Sequence, residues 1–103
     1  MTVAPTAPAA GAAVVVVPCR SLDAGCAARA RHELEQAQAA RPLRLVVDLS
    51  ECRSIDAAGL GVLLEARRRA GERGATVVLR GASQRLRRLL AVSATAGLFE
   101  LEA

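Results

Sequence analysis

Between Ser50 and Gly61 the chain gathers several residues that could do chemistry: the hydroxyls of Ser50 and Ser54, the Cys52 thiol and the Asp56 carboxylate, ahead of two glycines, Gly59 and Gly61. A nucleophile there would need a base beside it. The one histidine, His32, falls on the solvent side of an earlier helical stretch, far along the chain from Cys52 and Asp56, which argues against an enzyme. Exposed N–H groups at a glycine-rich helix start can hold phosphate, but the chain has no GxxxxGK[ST] and no lysine, so a Walker-type site is excluded. Cys19, Cys26 and Cys52 are odd in number and lack a CxxC pair, which argues against zinc and against a disulfide framework. They are expected to be small core or surface thiols in a reducing cytoplasm, with Cys52 a candidate redox position because it lies in the loop before the helix. Ser54 is read as a turn residue bonding its own backbone. No metal, cofactor or small-molecule substrate is expected.

The stretch SIDAAGLGVLL, residues 54–64, sets a puzzle. Asp56 suits an N-cap, because its carboxylate can accept from a free N–H of the first turn. Gly59 and Gly61 do not suit a helix start, since each costs about 1 kcal/mol relative to Ala. Two explanations stay open: the glycines let the helix pack closely on a sheet, or they let a partner approach it.

The elements that would position this stretch follow from hydrophobic patterning. VVVVP at 14–18 is a β-branched run stopped by proline, hence a buried strand ending at residue 17. Asp23 can cap a helix reaching about Ala39, whose inner face is Cys26, Ala30, Leu34 and Ala37. LRLVVDL at 43–49 is apolar at nearly every central position, as in an interior strand covered on both faces. A second helix runs from Asp56 to about Arg73 with Leu60, Leu63 and Leu64 inward and Gly74 at its C-terminal end. ATVVLRG is a third strand. Ser83 caps a third helix with Leu86, Leu89 and Leu90 inward and Arg85, Arg87 and Arg88 outward, and LFEL at 98–101 closes as a last strand. Strands alternating with helices at these lengths imply a largely parallel sheet. In such a sheet, sites form where a strand end feeds a helix start, which is where Ser50 to Gly61 falls.

Composition narrows the function classes. The chain has 103 residues, enough for one domain, and a formal net charge of +4. All of its basic residues are arginine, a bias that fits a GC-rich coding background as well as a selected polycation. With no Trp or Tyr and a single Phe there is no stacking platform, so nucleic acid is not expected as a partner. No apolar run approaches the roughly 18 residues of a membrane span. Residues 1–13, rich in Ala and Pro and without Lys or Arg, lack a signal peptide's charged region and read as a disordered tail before a domain at 14–103.

The run LVVDLSECRSIDAAGLGVLLEARRRAGERGATVVLRG, followed by RLRRLL and GLFEL, resembles the STAS domain, in particular the anti-sigma factor antagonists of bacteria. Its most specific element is a DLS strand end, a short loop and then Ile-Asp-x-x-Gly-Leu-Gly; SLD at 21–23 is similar to the family's ELD at the first helix. The resemblance implies an α/β STAS fold with a mixed, mostly parallel sheet of four or five strands and about four helices. It implies a cytoplasmic protein, a monomer or weak dimer, whose partner is an anti-sigma factor of the GHKL-type serine kinase class. The surface it assigns to that partner comprises Asp23, Ser50, Asp56, Ala57, Ala58, Gly59, Leu60 and Gly61. In the family a Ser or Thr of Asp-Ser-Ser-Gly, just before the glycine, is phosphorylated as a switch. Here those two positions are Ala57 and Ala58, so this chain cannot use it. A STAS subunit docking on another partner, such as the ATPase of a lipid transporter or a signalling assembly, is the alternative. The family's first N-terminal strand is expected to be truncated or lost, leaving a sheet edge less protected and dimerisation through it open.

Overall fold

A computed structural model describes residues 2–4, 11–92, 97 and 99–102. Along them run β1 (Thr2–Ala4), β2 (Ala12–Val16), β3 (Ser21–Leu22), α1 (Ala24–Ala39), β4 (Arg44–Asp48), β5 (Ser54–Ile55), α2 (Ala57–Glu72), β6 (Thr76–Arg80), α3 (Gln84–Val92) and β7 (Glu100–Glu102). One sheet has the order β1-β2-β4-β6-β7 and is parallel except for the antiparallel β1–β2 pair; β3 and β5 form a second, two-stranded sheet. The mixed, mostly parallel α/β sheet is as expected, with five strands, and with three helices among the described residues instead of about four.

The sheet is hydrophobic on both faces for different reasons. On one face Val15, Val17, Leu45, Val47, Val77 and Leu79 share a core with Ala30 and Leu34 of α1, Leu63 and Ala66 of α2, and Leu86 and Leu90 of α3. On the other, Val14, Val46 and Val78 form a separate buried row. The register puts Arg44, Arg80, Glu100 and Glu102 on this same side. Arg44 reaches across β6 to Glu100 (3.3 Å) and Glu102 (3.2 Å), and Arg80 pairs with Glu102 (2.8 Å). The aliphatic stems of the two arginines can cover apolar surface while their heads remain in water.

The helices start and pack as their sequences dictate. The Asp23 carboxylate accepts from Gly25 N–H (2.9 Å), and Ser83 Oγ accepts from Leu86 N–H (3.1 Å). Cys26, Ala30, Leu34 and Ala37 face the core as their spacing requires. Gln38, buried at the far end of α1, donates to the Ala66 carbonyl (2.9 Å) and accepts from Arg73, which also donates to the Pro42 carbonyl (2.6 Å). This ties α1, α2 and the approach to β4 together. Gly74 takes a left-handed conformation (φ +73°) just past α2, the role its position predicts.

Four expectations are corrected. The tail expected over 1–13 holds a strand: Thr2–Ala4 pair with Val14–Val16, and β2 begins at Ala12. The edge of β2 is therefore covered over residues 14–16, which removes the argument for dimerisation through a bare edge; residues 5–10 lie outside the described residues. Cys19 and Cys26 are joined as a disulfide, leaving Cys52 the free thiol. Chain spacing could not reveal this pair, because the turn through β3 is what folds residue 19 back onto α1. The buried face of α2 is Gly59, Val62, Leu63, Ala66 and Ala70, with Leu60 and Leu64 only partly buried. On α3, Leu86 and Leu90 are buried but Leu89 is 39 % exposed. Leu98, expected to open the last strand, lies outside the described residues; Phe99 is buried before β7.

Candidate functional site

The site is assembled where β2 and β4 end. Each of these parallel neighbours runs on into a two-residue strand, and the two short strands pair with each other in register, Ser21 beside Ser54 and Leu22 beside Ile55. The Ser21 and Ser54 hydroxyls are 2.6 Å apart. The Arg20 carbonyl accepts from the N–H groups of Arg53 (2.7 Å) and Ser54 (3.2 Å), and the Leu22 carbonyl from that of Asp56 (3.2 Å). This small sheet fixes the direction in which α2 sets out.

The two glycines then separate in role. A side chain on Gly59 would collide with the Leu22 carbonyl group and come within 2.8 Å of Leu22 Cγ, so only glycine permits this approach of α2 to β3. Around Gly61 a Cβ would meet nothing within 4 Å. One glycine is a packing requirement; the other keeps the outer surface bare.

Asp56 accepts from Gly59 N–H (2.9 Å), capping α2. Asp56, Ala57, Ala58 and Gly61 are exposed, Leu60 is partly buried and Gly59 is buried. The tip is thus a carboxylate, two methyl groups and a glycine, held from beneath by backbone. Beside it lies an open groove of about 260 Å³, lined by Ile55, Asp56, Ala57, Leu60, Leu89, Leu90 and Val92. Leu89 and Val92, the latter 86 % exposed, add apolar surface from α3.

Two other predicted residues occupy different settings. Asp23 caps α1 directly after Leu22, so its link to the tip runs through the neighbouring residue's backbone. Ser50 donates its hydroxyl to Asp48 (2.6 Å) and lines a separate hollow with Pro18, Arg20, Glu51 and Arg53. Cys52 does not fit the redox role expected of it. It is 2 % exposed, its Sγ donates to the Ser54 carbonyl (3.2 Å), and burial pushes its thiol above the ordinary value against the pull of backbone hydrogen bonds with Leu22 and Ser54. A reactive cysteine requires the opposite, exposure and a depressed value. Sequence reasoning missed Leu22, Ser21 and α3's Leu89 and Val92. Periodicity offers no signal for a strand of two residues, and the leucine pattern of α3 turns Leu89 inward with Leu86 and Leu90, whereas it is 39 % exposed.

In form this is a docking module, an α/β sheet in which a crossover helix begins in a firmly held tip with almost no side chains. The profile of the family described as Mlab, STAS domain, matches residues 8–100, and the chain belongs to the STAS family, whose members serve as non-catalytic adaptors. The match also runs into the segment expected to be a tail. No curated protein sequence matches the chain. The fold is shared with a provisionally assigned anti-sigma factor antagonist from Thermotoga maritima, at 16 % identity and a TM-score of 0.82 over 92 % of this chain and 81 % of that one. A sulfate transporter family protein from Wolinella succinogenes is similar at 21 % identity and a TM-score of 0.80, over 91 % and 78 %. The anti-sigma factor antagonist SpoIIAA in its unphosphorylated form is similar at 14 % identity and a TM-score of 0.76, over 99 % and 88 %. Among the described residues no helix is long and apolar enough to cross a membrane.

Proposed function

We propose that this chain is an anti-sigma factor antagonist that binds a kinase-type anti-sigma factor, of the GHKL serine kinase class, through the tip of α2 and is not switched by phosphorylation there. The observation that carries the reading is the exposed first turn of α2, where Ala57 and Ala58 present methyl groups. A protein surface can close on such a tip without displacing long side chains, and no hydroxyl at these positions can receive phosphate. Asp56, Leu60 and Gly61 complete the contact, the apolar groove with Leu89 and Val92 extends it, and Gly59 supports it from within; Asp23 and Ser50 are included on the family resemblance alone, Ser50 from its separate hollow. The protein would work in the cytoplasm as a monomer or weak dimer.

The test is binding to purified GHKL-type anti-sigma factors of the same organism, with ATP present. The wild type is expected to bind and to receive no phosphate within residues 54–61. Ala58→Asp, a carboxylate that the helix N-terminus tolerates, should stay folded and weaken binding about tenfold or more by placing charge in a dry contact. Capture of no anti-sigma factor, or unchanged affinity in the variant, overturns the reading.

A second reading shares the surface but changes the partner, with the tip docking on a transporter ATPase. The matching family is described by Mlab and not by an antagonist, and the missing hydroxyls suit a subunit that needs no phosphate switch. Stable co-purification with an ATPase, lost in Ala58→Asp, would favour it over the first.

A further inference from the structure

We propose that Cys19 and Cys26 form a reversible redox clamp on the α2 tip, opened by thiols and closed by hydrogen peroxide or by a protein disulfide. The bridge joins the loop after β2 to the first turn of α1 and closes a segment of seven residues' separation. Within that segment lie Arg20, Ser21 and Leu22, which make the contacts that hold the start of α2. The Arg20 carbonyl accepts from the N–H groups of Arg53 and Ser54 and the Leu22 carbonyl from that of Asp56, the Ser21 hydroxyl meets Ser54, and the Leu22 backbone seats Gly59. The bridge therefore acts on the tip through backbone, without touching it.

The two sulfurs are suited to exchange. Cys19 is partly exposed, whereas Cys26 is 9 % exposed and packed in the core. A reductant thiolate attacks the Cys19 sulfur, forming a mixed disulfide there and releasing Cys26 as thiolate in the first turn of α1, where the N–H end of the helix favours negative charge. A second reductant thiol attacks the reductant sulfur of the mixed disulfide, releases Cys19 as a thiol and leaves as oxidised reductant. In the closing direction one cysteine thiolate takes an oxygen from peroxide to give a sulfenic acid, with the other oxygen leaving as water. The second cysteine then displaces a second water as the S–S bond forms. Cys52, buried in the segment between β4 and β5, keeps its thiol and serves as an internal control. A bridge of this kind in a reducing compartment is transient and sensory in character. Closed, it holds β3 against α1 and keeps the tip in its docking shape; open, it lets β3 loosen from β5. The consequence for partner binding rests on the function proposed above, but the clamp itself does not.

The experiment uses the intact chain and no partner. Peroxide-treated protein, denatured and alkylated with N-ethylmaleimide, should carry one adduct, and protein reduced with dithiothreitol should carry three, one for each cysteine. In native hydrogen exchange, the amides of Arg53, Ser54 and Asp56 should exchange about tenfold faster after reduction, while those of Val17 and Leu49, bonded to Asp48 and Arg80 across the main sheet, keep their rates. Cys19→Ser should match the reduced wild type in these exchange rates under both conditions, and carry two adducts in each. Three adducts in the peroxide-treated protein, or exchange at the three tip amides that ignores the redox state, overturns the proposal. Because the readout involves no partner, failure to bind an anti-sigma factor leaves this result standing, and the reverse also holds.

Discussion

The two ends of α2 are fastened by opposite means. Toward its C-terminus a long side chain does the holding: Arg73 bonds to Gln38 of α1 and to the Pro42 carbonyl, while Glu65 pairs with Arg68 (2.7 Å) and Arg69 (3.1 Å), and Arg68 with Glu72 (3.3 Å), only along the helix itself. Toward its N-terminus the holding is done by backbone and one short carboxylate: Gly59 rests on the Leu22 carbonyl and Asp56 caps the first turn. The difference shows how a helix end can be rigidly placed and still bare. Side-chain fastening uses up the surrounding surface, whereas fastening through a glycine leaves the surface above it open to another molecule.

The contrast can be broken most severely at Gly59. Gly59→Ala drives a methyl group into the Leu22 backbone, and the expected loss is about 3 kcal/mol, read as a lower denaturant midpoint. An unchanged midpoint would mean that the close approach of α2 to β3 is absent in solution. Asp56→Ala removes the cap and should cost about 1 kcal/mol on the same measurement. Gly61→Ala should move the midpoint the other way, a gain of somewhat under 1 kcal/mol, because the new methyl meets open space and alanine favours the helix by about that amount. The opposite signs at two glycines one residue apart are the sharpest test of their separate roles.

The smallest effect belongs to the C-terminal end. Hydrogen bonds from Arg68 and then Arg69 hold the Glu65 carboxyl down to about 2, from an ordinary value of 4.5. With the folded value lowered, the stabilisation is present above 4.5 and is lost as pH falls toward 2. Because Glu65 is partly exposed and its arginine partners are exposed on the helix surface, where ion pairs are screened, Glu65→Gln should leave the midpoint at neutral pH nearly unchanged. A carboxyl titration followed by NMR checks the depressed value directly.

How much of this was legible in the sequence depended on how many residues carried each signal. The strands at 14–17, 43–49 and 75–81 and the helices starting at Asp23, Asp56 and Ser83 were readable, since a β-branched run or a repeated 3–4 spacing spreads the signal over many positions. β3 and β5 were not, because two residues hold no period; they form only because β2 and β4, side by side, deliver both strand ends to one place. β1 was hidden by its Ala/Pro-rich surroundings. On the buried face of α2 Leu63 was legible, but Leu60 and Leu64, which are only partly buried, were ranked with it and Gly59 was not, because a hydrophobic pattern gives glycine no weight. The start of α2 was legible from Asp56 as its cap, but its footing on Leu22 required the structure.

The ion pairs across the far side of the sheet bear on the order in which the chain is made. Arg44 and Arg80 leave the ribosome well ahead of Glu100 and Glu102, their partners on the last strand. Until residues 100–102 emerge, β6 is an open edge and the valine row beneath the arginines lacks these counter-charges. Completion of the sheet therefore waits for translation to reach β7, and a nascent chain stalled before residue 100 would expose a strand edge able to pair with another chain.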